Sequence, residues 1–506
     1  MTDNRLKDDI CKVLSFAKYI LLIIAFAFFS IGHIINNFNI MLLGVLSLFI
    51  SNIFYTLLKY KTHIILLFFH LTFFTFILSR PTISMLRGKE WWYFEYNTVC
   101  FAVNAIFITL LALHLGAFIA DQFQLKKKYS LLKPKIDYDK SGFNHTLQKI
   151  SLIFFIFTLC IYIISEIEKL IYMQGKDYYD YYTSYKSTLP SVLLSIADMR
   201  KYALCIFLAT LPSKKQAFIP LAFYVLSAIP SLIIGMRNPI VLNIIFVFLY
   251  YLLRDILEKK ENWFGKFEKT AVIVAIPFAL VFLSMLNYTR DNLEVQMSAW
   301  DSIVDLFYKQ GVSFDVLCKA YDALPYLPNA VPKNYTFGGF IDYITHGTIA
   351  QKLFGAIDLG SQNSELLATY GNNFAHSMSF VAHPEYLQGH GWGSSYILET
   401  FADGGYLGLI VFSIIFGFAM VLMVTGIRHG TLLRAIVFTC FLNLFFTPRS
   451  SATGWLTFII TIQFWFTIAF CFMLAHILSR NHNGDLNLSY NKTKISEVKK
   501  CLNTLD

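Results

Sequence analysis

The sequence predicts an all-α polytopic membrane protein with about 12 transmembrane helices and one large extracytoplasmic loop carrying short amphipathic helices. Three observations predict it. Mean hydropathy is +0.54 and charged residues make up only 15% of the chain, against ~25% in soluble domains. Apolar stretches near the ~20 residues needed to cross a hydrocarbon core recur about a dozen times. The rhythm breaks once, over 287–404, where 118 residues contain no spanning segment.

The spans read as 14–35, 40–58, 64–78, 99–120, 150–167, 191–211, 217–235, 239–253, 270–286, 405–424, 432–447 and 455–478. The third, eighth and eleventh are short for a bilayer core. Segment 14–35 is too long for a signal peptide and lacks a small-residue cleavage site, so it reads as the first span. The chain divides into spans one to nine within 1–286, a loop over 287–404, spans ten to twelve within 405–478 and a tail over 479–506.

Lys and Arg set the orientation, because basic connections stay on the cytoplasmic side. With both termini inside, inner segments hold 26 of the 42 basic residues, including the run Lys126, Lys127 and Lys128. The loop holds five: Arg290, Lys309, Lys319, Lys333 and Lys352. The loop is therefore expected outside, and the net charge of +10 reflects topology, with no nucleic-acid partner. Only Cys318 of the eight cysteines lies in the loop, so no disulfide forms within it. No residues have zinc-ligand spacing, and no metal site is expected.

Within the loop, Trp300, Ile303, Val304 and Phe307 recur at helical spacing, followed by Val316, Leu317, Ala320 and Tyr321. They predict one or two amphipathic helices, resting on the bundle or in the lipid headgroups. Pro325, Pro328 and Pro332 end these helices. A glycine-rich irregular stretch is expected next, then a short helix over 395–401 leading into span ten.

Arg237 lies in the tight turn Gly235-Met236-Arg237-Asn238-Pro239, Arg290 directly follows span nine, and Arg449 follows span eleven. Arginine at bilayer depth costs at least ~2.5 kcal/mol, so it is paired, functional or snorkelling to headgroup phosphates. Three at the outer ends of different spans can converge on one anionic group. Guanidinium grips phosphate bidentately and keeps its charge. Arg200 and Lys201, beside Asp198, stand near the outer end of span six.

The segment Gly389-His390-Gly391-Trp392-Gly393-Ser394-Ser395 reads as a close-approach loop opening a helix. It lacks the lysine of a nucleotide P-loop and lies on the outer side, which excludes an ATPase. Backbone N–H groups at such a helix start hold an anion or sugar hydroxyls. Ser394 or Ser395 is expected to cap the helix, with Glu399 one turn in, facing the outer cavity or pairing with an arginine. Four histidines in the loop, His346, His376, His383 and His390, titrate near neutrality and are candidate proton acceptors. Each is otherwise a hydrogen-bonded loop residue. His390 is preferred, with His383 and Glu399 next. The outer aromatics Tyr178, Tyr179, Tyr181, Tyr182 and Tyr185 suit either sugar stacking or a membrane-interface belt.

Taken together, the twelve spans, the Gly-x-Arg-x-Pro turn at 235–239 and the stretch from Tyr386 to Glu399, running into Asp403-Gly404-Gly405-Tyr406-Leu407-Gly408, resemble the Wzy-type O-antigen polysaccharide polymerases, an oligosaccharide repeat unit polymerase family. The resemblance implies a bacterial inner-membrane glycosyltransferase similar to the lipid-sugar-dependent GT-C type, working without a cofactor. Its substrates would be undecaprenyl-pyrophosphate-linked oligosaccharides, as donor and acceptor, in contact with bilayer lipids. A chain-length regulator and a repeat-unit flippase are the partners it suggests. Family mechanism places arginines on the donor pyrophosphate, which maps onto Arg237, Arg290 and Arg449. Two other readings stay open: an O-antigen ligase using the same donor with a lipid A core acceptor, and a repeat-unit flippase. A flippase would need charges within its spans and no large outer loop, the reverse of what is seen here.

Overall fold

The computed structural model describes residues 2–130, 142–176, 178–257, 262–290 and 298–480. Helices account for nearly all of the regular structure, and no strand occurs among the described residues. Helices α1 (Thr2–Ile34) and α2 (Phe38–Leu58) form a hairpin in which the Asn37 side chain accepts the Ile40 N–H at 3.2 Å and so caps α2. Helix α3 (Tyr60–Leu86) includes a π-helical turn, Phe74–Leu78. It runs further than the expected 64–78 and carries Arg80 within the helix. Then follow α4 (Tyr96–Ser130), α5 (Gly142–Met173), α6 (Ser191–Ala209), α7 (Lys214–Ile233), α8 (Asn238–Leu257) and α9 (Lys266–Arg290).

The loop folds into α10 (Ala299–Gln310), α11 (Ser313–Ala323), α12 (Gly338–Thr345), α13 (Thr348–Phe354), α14 (Glu365–Tyr370) and α15 (Phe374–Ala382). The first pair matches the amphipathic pattern in the sequence. The other four occupy the stretch expected to be irregular. Each is too short to display a 3.6-residue period, and Gly347, Gly355 and Gly371 punctuate them. The loop is fastened to the C-terminal part of α3 and the N-terminal end of α4. Ser79 Oγ donates to the Phe307 carbonyl at 2.7 Å, and Thr98 Oγ1 donates to Asp322 at 2.5 Å.

Helix α16 (Tyr396–Gly426) leaves the loop and bends at Gly405, where φ is 58° and ψ −154°. It is followed by α17 (Thr431–Leu444), α18 (Gly454–Ile460) and α19 (Ile462–Arg480). Helices α4 and α16 touch backbone to backbone. A Cβ on Gly116 would lie 2.0 Å from the Ile414 carbonyl oxygen, and one on Gly417 2.4 Å from that of Leu113. Such small-residue contacts drive helix association in a medium without hydrophobic pressure.

Among the described residues, ten helices are long and apolar enough to cross a membrane. Two expected spans fall outside that group. Helix α6 carries Asp198, Arg200 and Lys201 at mid-length, and α17 has only 14 residues. The expected span 455–478 is broken at Thr461, whose ψ is 146°. The break is tolerated because its freed backbone finds partners. The Ile462 N–H donates to Tyr343 Oη at 2.8 Å, and the Phe464 N–H donates to Thr461 Oγ1 at 3.3 Å.

Orientation has a direct test. Cys318 is fully buried, so a reporter must sit elsewhere. Asn329, exposed in the loop, and His429, exposed between α16 and α17, serve as paired sites. An impermeant thiol reagent added to cells with a permeabilised outer membrane is expected to label Asn329→Cys and spare His429→Cys. The opposite pattern would reverse the topology.

Candidate functional site

The glycine loop connects α15 to α16 and is braced by polar side chains from the rest of the insert. Asn363 Nδ2 donates to the carbonyls of Tyr386 and His390, each at 2.8 Å, and the Trp392 N–H donates to Ser379 Oγ at 3.0 Å. Gly389 has φ +94°, and a Cβ there would lie 2.8 Å from the Tyr179 carbonyl oxygen. This position needs glycine both for its backbone angle and for its close approach to the tyrosine-rich turn. That turn is held in place by Gln362 Nε2, which donates to the Tyr185 carbonyl at 3.0 Å.

Packing of the two segments aligns a row of rings. Tyr179 stacks on His390 at 3.7 Å between centroids with an interplanar angle of 19°. His390 lies 5.4 Å from His383, and His383 lies 4.9 Å from Trp392. Lys319 Nζ caps the row, 3.1 Å from the Trp392 ring centroid. The two preferred histidines are thus brought together, and Tyr179 joins them. Lys319 and Trp392 had no assigned role in the sequence, because nothing local pairs residues so far apart.

The histidines differ in their surroundings. His390 Nε2 is 3.6 Å from Glu385 Oε2. His383 Nδ1 accepts the Glu385 N–H at 3.2 Å, and burial lowers its pKa, with His390 adding to the effect. The row therefore pairs one histidine beside a carboxylate with one biased to the neutral form.

Ser395 is the cap of α16, its side chain accepting the Ile397 N–H at 3.4 Å. Ser394 turns instead to Glu399, donating to Oε1 at 2.8 Å. The other oxygen of Glu399 accepts the Ala452 N–H at 2.7 Å, and the residue is 2% exposed. The expectation that Glu399 faces the outer cavity or pairs with an arginine is corrected here. It is a buried bridge from the glycine loop to the segment following Arg449. The same segment is tied to the insert by Thr453 Oγ1, which donates to the Thr336 carbonyl at 2.7 Å. Asp403 accepts the N–H groups of Tyr335 and Thr336 at 3.0 and 2.6 Å, so it too is structural.

Arg449 Nη1 donates to Gln310 Oε1 at 3.0 Å, and its guanidinium is 5.9 Å from the Phe76 ring centroid. One turn further along α3, Arg80 pairs with Asp315 and lies 4.7 Å from the Tyr308 ring centroid. Asp315 is one turn from Lys319, and burial raises its pKa, opposed by Arg80 and Lys319. Arg80 escaped sequence reasoning because the third span was read as ending before it. Arg237 stands at the start of α8, beyond Gly235 with φ +102°. Its turn packs on α5, where Ser231 Oγ donates to Glu166 at 2.7 Å. Nearby, the Arg200 guanidinium lies 3.1 Å from the Tyr162 ring centroid. Arg290 ends α9, and its side chain lies outside the described residues. Among the described residues, no group of three or more His, Cys, Asp or Glu could hold a metal ion.

Comparison with known proteins fits this arrangement to a family. No curated protein and no solved structure matches the chain significantly. The family profile for the O-antigen polysaccharide polymerase Wzy matches residues 17–482, nearly the whole chain. The bundle, the insert and the glycine loop that joins them all fall within that match, and the chain belongs to the O-antigen polysaccharide polymerase Wzy family.

Proposed function

We propose that this polymerase transfers the growing glycan from undecaprenyl pyrophosphate to the non-reducing end of a lipid-linked repeat unit, on the outer face of the membrane. The observation that supports the reading is the Ser394–Glu399–Ala452 bridge, which ties the glycine loop to the segment that follows Arg449. A row of aromatic faces suits sugar rings, and an arginine suits the pyrophosphate to which they are attached. Arg237 and Arg290 complete the pyrophosphate site.

In the reaction, an acceptor hydroxyl oxygen bonds to the anomeric carbon of the donor sugar. The bond from that carbon to the pyrophosphate oxygen breaks, and its electron pair leaves with undecaprenyl pyrophosphate. His390 takes the hydroxyl proton, and Glu385 stabilises the imidazolium formed. Arginines stabilise the charge developing on the leaving group. The driving energy is already in the donor, so no nucleotide is needed. Gly393, where a Cβ would meet open space, lets the chain approach the glycan, while Gly389 and Gly391 pack against the Tyr179 carbonyl and Ser379.

Purified protein incubated with a lipid-linked repeat unit should yield a ladder of polymer on a gel. His390→Ala is expected to slow its growth by ~10²–10⁴ with the protein still folded. An unchanged rate would move the base to His383, or show that the acceptor needs none. Transfer to lipid A core in place of a ladder would identify a ligase.

A further inference from the structure

A polar cavity of about 350 Å³ opens in the insert, lined by Asp342, His346, Asp358, Ser361, Asn373 and His376 among others. It adjoins the row of rings through Tyr386. That residue precedes the glycine loop, and its hydroxyl lies 2.9 Å from His376 Nδ1. The volume lies within the ~300–1,000 Å³ range of small-molecule sites.

Hydrogen bonding around the cavity fixes which atoms remain free. Tyr386 Oη donates to the Ser364 carbonyl at 3.2 Å, so toward His376 it acts as acceptor. His376 therefore carries its proton on Nδ1, leaving Nε2 as a lone pair. Burial lowers the His376 pKa to about 4, which keeps the ring neutral. His346 Nδ1 donates to the Ile357 carbonyl at 3.0 Å. Asp358 Oδ1 takes the Gly360 N–H at 3.0 Å and Gln351 Nε2 at 3.3 Å, leaving Oδ2. Asp342 is engaged by Asn372, with bonds of 2.8 to 3.0 Å from its backbone and side-chain nitrogens.

The free valences are thus mainly acceptors, beside two carboxylates. A phosphate would be repelled, whereas a ligand rich in hydroxyl donors would satisfy them. We propose that this cavity is a subsite for one uncharged, hydroxyl-rich sugar ring of the lipid-linked glycan, with His376 Nε2 and Asp358 Oδ2 accepting hydroxyl protons. The identity of the glycan rests on the polymerase reading; the preference for a polyol does not. The subsite lets one ring seat in the cavity while its neighbour lies along the row at His390.

The test measures binding of the oligosaccharide repeat unit, released from its lipid, to the purified full-length protein by saturation-transfer NMR. His376→Asn keeps a donor near Tyr386 and removes the Nε2 lone pair, while Asp358→Asn removes a carboxylate. Each is expected to weaken binding about tenfold, the equivalent of one good hydrogen bond. Thermal melting at the parent temperature verifies that each variant is folded. Binding unchanged in both folded variants, no binding by the parent, or competition by inorganic pyrophosphate would overturn the subsite. Loss of binding in the variants without any ladder from the parent would leave the subsite standing and remove the polymerase reading. A ladder with binding indifferent to both substitutions would do the reverse.

Discussion

Arg449→Ala, Arg237→Ala and Arg290→Ala are each expected to cut polymerisation by ~10²–10³ while the protein stays in the membrane at its normal level. That is the usual effect of removing one donor aimed at charge that develops in a transition state. The leaving pyrophosphate gains charge as the glycosidic bond breaks, and a guanidinium meets it with two parallel N–H bonds. Lysine preserves charge but not that fork, so Arg→Lys should restore only part of the rate. Arg80→Ala should behave differently. Its guanidinium is already occupied by Asp315, so its loss strands a half-buried carboxylate and lowers stability first. Ladder rates measured against immunoblotted protein separate the two behaviours. Normal rates from all three alanine variants would end the pyrophosphate assignment.

Glu399→Ala is expected to destabilise the joint between loop and bundle by ~2–4 kcal/mol, from an unmet Ala452 N–H, an unmet Ser394 hydroxyl and a cavity. Glu399→Gln should be nearly silent. The amide oxygen can accept from Ala452, and the Ser394 hydroxyl can rotate to accept from the amide nitrogen. Thermal melting and the ladder assay together decide the matter. A Gln variant that melts normally yet makes no polymer would show that Glu399 moves a proton, against the bridging role its contacts support.

The difference between these residues shows what kind of information lies along the chain. The spans were legible because a bilayer imposes a local rule, ~20 apolar residues for each crossing. Helices α10 and α11 were legible because their apolar positions repeat every turn. A serine cap followed from the place of Ser394 and Ser395 before an apolar run, and the tertiary structure decided that Ser395 forms it. The break at Thr461 was not legible: it is flanked by Ile460 and Ile462, and the partner that satisfies the Ile462 N–H comes from Tyr343 in the insert. Helices α12 to α15 were too short to have a period at all.

By itself the sequence determined an all-α membrane bundle with one large insert, a glycine loop at its end, and the residue types needed for glycan chemistry. Tertiary structure alone decided which of those residues meet. The stacking of Tyr179 on His390, the pairing of Arg80 with Asp315 and the bridge from Glu399 to Ala452 join positions distant in the chain. Helix and span signals are written in the spacing of near neighbours. A contact between distant segments has no such spacing, because it forms only when the whole bundle packs and each buried polar group must find a partner.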